Sequence, residues 1–413
     1  MDLSAGAERL VVDAAAELSN RGHEVDVYTA YYDPERCFEE TKSGLFRVIV
    51  RGSWFPRSIG GRAMALCAYM RCLIMAYAIC ISSFFSKGKK YDVVIVDQVA
   101  VAVVALHCFC SAKVLFYCHF PDLLLASPKS KLHKFYRAPL DGVEEWSTGM
   151  ADQVLVNSKF TRGVFGQTFQ SLNARGIVPE VLYPAVSIPS DKLIDEMSKQ
   201  WEKYLPAEVV ELLDGRAVFL SINRFERKKN IGLAIKALGV LHQQLYDTKT
   251  VDYKLPGLII AGGYDVRLAE NVEHLQELES LVEDLGLGRH VAFMPSFTDE
   301  QRLALLVACQ AVIYTPENEH FGIVPIESMA TGTPVIACNS GGPKESIETG
   351  QTGYLVEPDS DSFADAMEKC LESKLISLLG KNSRKRTLDH FSRASFGNSL
   401  DAIIQTLVKP KSV

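Results

Sequence analysis

Short apolar segments alternate with longer amphipathic stretches along most of this chain, and this alternation limits the folds that it can adopt. A first set of apolar segments, each of strand length, lies at residues 93–96, 114–118 and 153–156. A second set lies at residues 217–222, 258–261, 291–294, 312–314 and 334–337. Continuous apolar runs of this length are typical of parallel strands that are buried on both faces. Strands that alternate with helices in this way predict doubly wound α/β sheets.

The two sets of strands predict two Rossmann-like domains. The chain has 413 residues, of which 47% are hydrophobic, and so exceeds the size at which one core usually divides. We predict an N-terminal domain over residues 1–190, a linker region over 191–214 and a C-terminal domain over 215–390. We also predict a last helix over residues 391–413, for which packing on the N-terminal domain is one of the arrangements left open. Where two such domains face each other, their strand ends point into an interdomain cleft, so we expect the active site there.

Composition and charge exclude several classes of protein. Charged residues make up 23% of the chain and the formal net charge is −6, so electrostatics gives no reason to expect nucleic acid as a partner. The ten cysteines include no Cys-x-x-Cys pair, which favours reduced thiols facing the cytosol over disulfides or a zinc site. The first ten residues lack a basic segment followed by an apolar run, so no secretory signal is expected.

One segment breaks this pattern of a soluble protein. Residues 72–85 carry no charge, and Lys87, Lys89 and Lys90 follow them. Fourteen residues are too few to span a bilayer of about 30 Å, but they suit an interfacial helix with a basic collar. A buried core helix explains the segment equally well, and both interpretations stay open. A second basic stretch over residues 129–137 could cover a membrane surface or a diphosphate, or could be a solvated helix face.

Two carboxylates, Glu319 and Glu327, flank a glycine-bearing turn that is predicted to open a helix. The free backbone N–H groups at a helix start form an anion site that suits a diphosphate. Glu327 is predicted to lie in the first turns of that helix, where a carboxylate can accept hydrogen bonds from a ribose diol. Glu319 precedes the turn, nearer to the far substituent of the phosphate.

Basic residues follow a predicted strand in the same half of the chain. Arg224 and Lys229 lie between the strand at 217–222 and a helix predicted from Ile231. Arg224 offers a bidentate fork and Lys229 a point charge, and such cations can neutralise a leaving diphosphate. Solvated surface charge is the alternative for either residue alone. His119 ends a strand of the first set, where a lone histidine is more often a structural hydrogen-bonding residue.

These motifs resemble those of a known family. Glu-x7-Glu at 319–327, Arg-x4-Lys at 224–229 and Ser-Gly-Gly-Pro at 340–343 are similar to the motifs of the large retaining GT-B glycosyltransferase family that includes sucrose synthases and many bacterial mannosyltransferases. Longer strings resemble the eukaryotic α-1,3/α-1,6-mannosyltransferases of asparagine-linked glycan assembly. They are YCHFPDLLL (117–125), RAPLDGVEEWSTGMAD (137–152), VLYPAV (181–186), LSINRFERKKN (220–230), AGGYDVR (261–267) and ENEHFGIVPIESMA (317–330).

The resemblance implies an enzyme that transfers mannose from GDP-mannose, with retention, to dolichyl-diphosphate-linked Man-GlcNAc2 through α-1,3 and α-1,6 linkages. It implies the cytosolic face of the endoplasmic reticulum membrane as the location, with other mannosyltransferases of the pathway as further candidate partners. It implies no cofactor and no metal in the site, since fixed cations and helix ends hold the diphosphate. In similar transferases the leaving diphosphate accepts the proton of the acceptor, so we assign no nucleophile.

The resemblance also implies roles for individual residues. Arg224 and Lys229 hold the GDP diphosphate, Glu327 binds the ribose, and Glu319 contacts the hydroxyls of the donor sugar. His119 is expected near the donor sugar and Gly6 in a glycine-rich loop opposite the phosphates. Backbone amides of a four-residue segment complete the donor contacts: Phe321, Gly322, Ile323 and Val324.

The amino terminus departs from the family pattern. Relatives open with an apolar strand and a glycine-rich loop, whereas this sequence begins Met1-Asp-Leu-Ser-Ala5-Gly6. We therefore expect the first, normally central strand to be missing, its neighbouring strands to be unpaired and the first domain to be impaired. One alternative is a catalytically impaired GDP-sugar-binding module or partner subunit. Another is a different GT-B activity, such as an epimerase or a transferase with a soluble acceptor, which the apolar segment at residues 72–85 argues against.

Overall fold

The computed structural model describes residues 6–35, 37–60, 63–85, 90–125, 131–247 and 254–409. The chain forms two compact units. Unit 1 consists of Met1–Ala185 together with Arg393–Val413, and unit 2 consists of Val186–Ser392. The last segment of the chain thus belongs to the same unit as the first.

Unit 1 contains six short strands and eight helices within the described residues. Its strands are β1 (Asp26–Thr29), β2 (Arg47–Val50), β3 (Val93–Asp97), β4 (Lys113–Cys118), β5 (Gln153–Val156) and β6 (Glu180–Val181). Its helices are α1 (Gly6–Asn20), α2 (Met64–Phe85), α3 (Val101–Phe109), α4 (Asp122–Leu125), α5 (Lys131–Thr148), α6 (Lys159–Thr168), α7 (Gln170–Ala174) and, at the end of the chain, α17 (Arg393–Val408).

Two separate parallel sheets form in unit 1, one of β1 and β2 and one in the order β3-β4-β5-β6. Within the described residues, no strand lies between β1 and β3, and each of these two strands has one strand neighbour. A tyrosine pair links the two sheets, because Tyr91 donates a hydrogen bond to Asp26 at 2.7 Å and lies 3.0 Å from the hydroxyl of Tyr28. The three strands predicted for this half of the chain are confirmed as β3, β4 and β5.

Helix α17 packs against α1, the first helix of the chain. Apolar residues of both helices share one buried cluster, with Leu10 on α1 and Phe396 and Leu400 on α17. Charge adds to this packing, because Arg393 Nε lies 2.9 Å from Asp13 Oδ1, whose carboxylate is buried. Removing apolar surface from water on both helices ties the two ends of the chain into one core.

Helix α2 extends beyond the charge-free segment at residues 72–85 from which an interfacial helix was predicted. It spans 22 residues, Met64–Phe85, because Arg71 lies inside it rather than ahead of it. At about 1.5 Å per residue the helix is about 33 Å long, and by length and composition it can cross a bilayer. The expectation that this segment is too short to span a membrane is therefore wrong.

Unit 2 contains six strands and nine helices in its described part. Its strands are β7 (Val218–Ile222), β8 (Gly257–Gly262), β9 (Val291–Pro295), β10 (Ala311–Tyr314), β11 (Val335–Cys338) and β12 (Gly353–Val356). Its helices are α8 (Asp191–Ser198), α9 (Ala207–Leu213), α10 (Gly232–Asp247), α11 (Ala269–Asp284), α12 (Asp299–Ala308), α13 (Ile323–Thr331), α14 (Pro343–Ser346), α15 (Ser360–Lys369) and α16 (Ser373–His390).

The sheet of unit 2 is parallel throughout, in the order β12-β11-β10-β7-β8-β9. Strands β7, β8, β10 and β11 are buried along their whole length, which explains their continuous apolar sequences. All five strands predicted for this half are confirmed. The predicted capping box at the start of α12 is also present, with Thr298 and Gln301 exchanging hydrogen bonds, and Pro343 begins α14 as predicted.

The linker predicted over residues 191–214 is instead part of unit 2. Helices α8 and α9 occupy most of it, and their apolar side chains lie in a buried cluster with β7 and β8. Val209 of α9 is fully buried there, beside Leu220 of β7. The stretch was mistaken for a linker because exposed polar residues interrupt its apolar ones. The boundary between the units accordingly lies at Val186, not at residue 190 or 214.

Candidate functional site

Strand order in unit 2 reverses between β7 and β10. The chain runs outward from β7 through β8 to β9, then returns to place β10 on the other side of β7. Ligands of open α/β sheets bind beyond the carboxyl ends of the strands at such a switch point. The loop after β7 carries Arg224 and Lys229, and the loop after β10 carries Glu319. The topology therefore brings together the two motifs that the sequence singled out.

Lys229 and Glu319 are in direct contact. The distance from Lys229 Nζ to Glu319 Oε1 is 2.5 Å, although the two residues are 90 positions apart in the chain. The lysine side chain is 11% exposed and the glutamate side chain 29%. Thr315, the residue after β10, donates a hydrogen bond to the backbone oxygen of Lys229 at 2.7 Å and fixes the loop against the sheet. Lys229 is thus a held, partly desolvated cation.

The other cations of the same loop have different surroundings. Arg224 is 63% exposed and forms an ion pair with Glu226 at 2.9 Å. Arg227 points to α11, where its guanidinium pairs with Glu273 at 2.9 Å and Glu277 at 2.6 Å. Lys229 is therefore the least exposed of these cations and Arg224 is largely solvated, while Arg227 links two surface elements.

Helix α13 begins at the predicted turn. Gly322, its N-cap, has a φ of 81°, a left-handed conformation that glycine adopts without the penalty of a β-carbon. Gly322 has no side chain with which to cap the helix, and the N–H groups of the first turn, which include those of Ile323 and Val324, have no acceptor within the helix. Phe321 is buried against Phe391 with ring centroids 6.1 Å apart. The helix start thus presents backbone donors and a positive dipole end to an anion.

The glycine pair of Ser-Gly-Gly-Pro lies against this turn. A β-carbon on Gly341 would come within 2.4 Å of the backbone oxygen of Glu319, and one on Gly342 within 2.2 Å of that of Phe321. Gly342 also donates its N–H to the oxygen of Glu319 at 2.8 Å. The glycines are therefore needed because a β-carbon at either position would clash with the backbone of the turn before α13.

Glu327 lies on α13, one turn inside the helix as predicted. Its carboxylate accepts a hydrogen bond from Arg302 of α12, with 2.8 Å between Oε1 and Nη1. Burial raises the pKa of the Glu327 carboxyl, and the charge and hydrogen bond of Arg302 oppose that rise. Arg302 thus favours the ionised form of a partly buried carboxyl. The sequence offers no local signal for this pair, because its members lie on different helices.

Burial also shifts the pKa values of two residues near Glu319, Tyr314 and His320. The pKa of the Tyr314 hydroxyl is raised well above its ordinary value, first by burial and then by the charge of Glu319. The pKa of His320 is lowered by burial, although Glu319 acts in the opposite direction. Both side chains therefore remain neutral at pH 7 and add no charge beside the ion pair of Lys229 and Glu319.

His119 lies directly after β4 in unit 1. Its Nε2 is 2.8 Å from Oδ1 of Asp97, the last residue of β3, and an ionised carboxylate only accepts, so Nε2 carries the hydrogen. Gln98 accepts from the N–H of His119 at 3.0 Å and donates to the oxygen of Phe120 at 3.0 Å. Gln98 has a φ of 58°, a strained conformation of the kind that clusters at functional sites.

Several predicted features fall wholly or partly outside the described part of the chain. Gly6 begins α1, and its surroundings are not described. Lys87, Lys89 and Lys129 lie outside the described residues, as do the side chains of 131–138, so the basic stretches stay predictions. The residues that the sequence did not single out are Arg302, Thr315 and Asp97, which act on predicted site residues across the fold.

Solved structures share this fold. The chain is similar to the sucrose-phosphate synthase of Thermosynechococcus elongatus, with a TM-score of 0.66 and 21% identity over 96% of this chain and 92% of that one. It is similar to a glycosyltransferase of Rickettsia africae, with a TM-score of 0.67 and 17% identity over 99% of this chain and 97% of that one. The prediction of a GT-B fold with two Rossmann-like domains is confirmed.

Sequence comparison gives the family. The family description "Glycosyltransferase Family 4" matches residues 4–178, and "Glycosyl transferases group 1" matches residues 207–386. The chain is 44% identical to the α-1,3/1,6-mannosyltransferase ALG2 of Mus musculus over 98% of this chain and 94% of that one. It is 42% identical to the enzyme of the same name from Dictyostelium discoideum over 97% of this chain and 95% of that one. With two matching family descriptions and near-full-length identity of this degree, the chain belongs to the α-1,3/1,6-mannosyltransferase family of glycosyltransferases.

Proposed function

We propose that this enzyme transfers mannose from GDP-mannose, with retention, to dolichyl-diphosphate-linked Man-GlcNAc2, forming α-1,3 and α-1,6 linkages. The observation that carries the proposal is the contact of Lys229 with Glu319 in the same unit as the glycine-capped start of α13. That arrangement offers a diphosphate a held cation and backbone donors, with a carboxylate adjacent for sugar hydroxyls. The names of the family relatives supply the sugar and the two linkages.

Donor binding follows from the charges of the site. The β-phosphate of GDP-mannose is proposed to lie at the N–H groups of Ile323 and Val324. Lys229 is proposed to contact it from one side and Arg224 from the solvent-exposed side. Lys229 then exchanges its contact with Glu319 for one with phosphate, and Glu319 becomes free to accept hydrogen bonds from mannose hydroxyls. His119 of unit 1 is proposed as a further residue that contacts the donor sugar.

In the transfer step the bond from mannose C1 to the phosphate oxygen breaks and a bond from C1 to the acceptor oxygen forms on the same face. The acceptor hydroxyl gives its proton to the leaving diphosphate. Negative charge on the diphosphate grows as the bond breaks, and fixed cations that face it lower the barrier without reorganisation. We propose that Arg224, Lys229 and the α13 dipole supply this stabilisation in place of a metal ion, with no cofactor beyond the donor.

The exposed apolar side chains of helix α2 are evidence that the enzyme acts at the surface of a bilayer. One side of the helix is buried against α3, including Ala76 and Ile79. The other side exposes large apolar side chains, among them Tyr77 at 47% and Ile81 at 56%. An exposed apolar stripe on a helix that packs along its other side suits partial insertion into the acyl boundary of a membrane. We propose attachment at the cytosolic face of the endoplasmic reticulum, where a lipid-linked acceptor is within reach.

Product analysis tests the proposed function. The chain is incubated with GDP-mannose and lipid-linked Man-GlcNAc2, and the products are analysed for linkage. We expect two added mannoses, one α-1,3 and one α-1,6, and release of GDP. Binding of GDP with no product would instead favour the binding-module alternative, and transfer to soluble acceptors alone would favour a different GT-B activity.

A further inference from the structure

We propose that Arg302 is a positioning residue that turns Glu327 towards the ribose diol of the donor and so makes the pocket select a ribonucleotide. The inference rests on the proposed function, because it takes a nucleoside diphosphate as the ligand of this site. It concerns a residue on α12, which lies outside the motifs that carry the family resemblance.

Arg302 is itself held in place. Its Nη1 bonds Glu327 Oε1 at 2.8 Å, and its Nη2 bonds Asp299 Oδ1 at 2.9 Å. The first turn of α12 is fixed by the capping box, and Gln301 also donates to the backbone oxygen of Tyr204 at 3.1 Å. The guanidinium therefore reaches Glu327 from a rigid helix start, with its planar fork shared between two carboxylates.

The hydrogen bond from Arg302 occupies one oxygen of Glu327 and leaves the other available to a ligand. Within the described part of the chain, the hydrogen bond of Oε1 to Arg302 is the contact of this carboxylate, and Oε2 has no partner. The side chain is 23% exposed, so solvent or a ligand reaches the group. An oxygen of an ionised carboxylate has two lone pairs, and Oε2 can thus accept hydrogen bonds from both hydroxyls of a vicinal diol.

The contact of Glu327 with the diol depends on Arg302 because the arginine favours the ionised form of the carboxyl. The charged groups that face Glu327 from α12 are Arg302 and Asp299, of opposite effect on its carboxyl. Without the arginine, burial and Asp299 would both favour the protonated acid. A protonated carboxyl that is free to rotate offers fewer acceptor sites and no fixed direction. The diol contact would then be lost although Glu327 itself is present.

Calorimetry with three nucleotides isolates the diol contact. GDP, 2′-deoxy-GDP and 2′,3′-dideoxy-GDP are titrated into the wild-type chain and into Arg302→Met, Arg302→Lys and Arg289→Met. Arg289 is exposed at the amino end of β9, away from the strand ends that form the site, and is the matched control. Hydrogen bonds to charged groups are worth about 1.5–3 kcal/mol, so the wild-type chain should bind GDP at least about tenfold more tightly than the dideoxy compound.

We expect Arg302→Met to bind GDP no more tightly than the dideoxy compound, while its affinity for the dideoxy compound stays within about twofold of wild type. Arg302→Lys should restore part of the preference, since it keeps the charge without the fork, and Arg289→Met should match wild type. Lowering the pH from 7.5 to 5.5 should weaken GDP binding by Arg302→Met more than by wild type. Equal loss for all three nucleotides in Arg302→Met would show a merely structural role and overturn the inference.

Two further outcomes separate this inference from the proposed function. Equal binding of all three nucleotides by the wild-type chain would overturn the inference alone, because the ribose hydroxyls would then make no contribution to binding. A wild-type chain that binds none of them overturns the proposed function and the inference with it. If Arg302→Met does not fold, Glu327→Gln replaces it, because it removes the ionised acceptor without leaving a buried charge. It should lose the preference for GDP over the dideoxy compound, and a retained preference overturns the inference.

Discussion

The side chains of Lys229 and Glu319 are joined by an ion pair of 2.5 Å that links the loop after β7 to the loop after β10. The pair neutralises the held cation of the site before any anion arrives. We propose that a bound diphosphate competes with Glu319 for Lys229, so that donor binding releases the carboxylate for the sugar hydroxyls. In this proposal one lysine couples charge neutralisation to sugar recognition.

Replacing the cations tests their share of transition-state stabilisation. We expect Lys229→Ala to lower kcat by about 100- to 1000-fold, since a desolvated cation facing growing charge is worth several kcal/mol. Arg224→Ala should cost less, because that side chain is 63% exposed. Arg227→Ala, whose guanidinium pairs with α11, is the control and should keep kcat within about twofold of wild type. Near-normal turnover in a chain lacking both Arg224 and Lys229 would place the diphosphate elsewhere.

The two glutamates of the motif should separate in a binding assay. Glu327→Ala is expected to weaken GDP binding at least about tenfold, because it removes a charged acceptor of the ribose. Glu319→Ala frees Lys229 for phosphate, and GDP should bind as tightly as to wild type or more tightly, while transfer of mannose slows. Calorimetry with GDP alone, beside initial rates with GDP-mannose, measures both. Equal losses of GDP affinity in the two variants would contradict this division of roles.

The Asp97–His119 pair should affect transfer and leave nucleotide binding unchanged. Asp97→Asn removes the carboxylate that fixes the hydrogen of His119 on Nε2, and we expect kcat to fall at least about tenfold. GDP affinity should not change, since the nucleotide is proposed to bind unit 2. Asp92→Asn, at an exposed position just before β3, is the control. A fall in GDP affinity that accounts for the whole loss of rate would show that the pair serves stability alone.

Membrane attachment through α2 can be tested by flotation with anionic liposomes. The double variant Tyr77→Glu and Ile81→Glu places two charges on the exposed stripe. Each large apolar side chain withdrawn from an apolar phase costs about 1.5–3 kcal/mol, so liposome binding should fall by more than about tenfold. The control, Tyr246→Glu with Leu378→Glu, puts the same charges on exposed apolar residues of unit 2. Similar binding of both double variants would refute an interfacial α2.

The free energy of unfolding of unit 2 should fall with acidification. Arg216 donates to Nδ1 of His290 at 2.7 Å, and burial, followed by nearby charges, lowers the pKa of His290 from 6.5 to about 4. The unfolded chain therefore binds more protons between those values, and stability present above pH 6.5 is lost as the pH falls towards 4.

Trp201 reports on unit 2 once the other two tryptophans of the chain are changed by Trp54→Phe and Trp146→Phe. Urea unfolding in this background at pH 7.5 and pH 5 should give a smaller difference for His290→Gln than for the parent chain. His390→Gln, at an exposed position, is the control and should keep the parent difference. An unchanged difference in His290→Gln would assign the pH dependence to other groups.

Local sequence patterns were sufficient to predict most strands of unit 2. Buried parallel strands need continuous apolar runs, and caps need particular residues within three positions, so β7 to β11 and the start of α12 were predicted from local patterns. The spacing of Glu319 and Glu327 likewise follows from one turn and one helix. Short strands such as β6, with two residues, carry too little pattern to be recognised.

Contacts between distant residues could not be predicted in this way. Lys229 and Glu319 lie 90 positions apart, Arg302 and Glu327 lie on different helices, and nothing in their local spacing encodes either contact. Residues 191–214 belong to unit 2 because the parallel sheet of that unit offers their apolar side chains a surface to bury against. Local sequence fixes backbone conformation through interactions of neighbouring residues, whereas burial and charge pairing depend on groups that only the folded chain brings within reach.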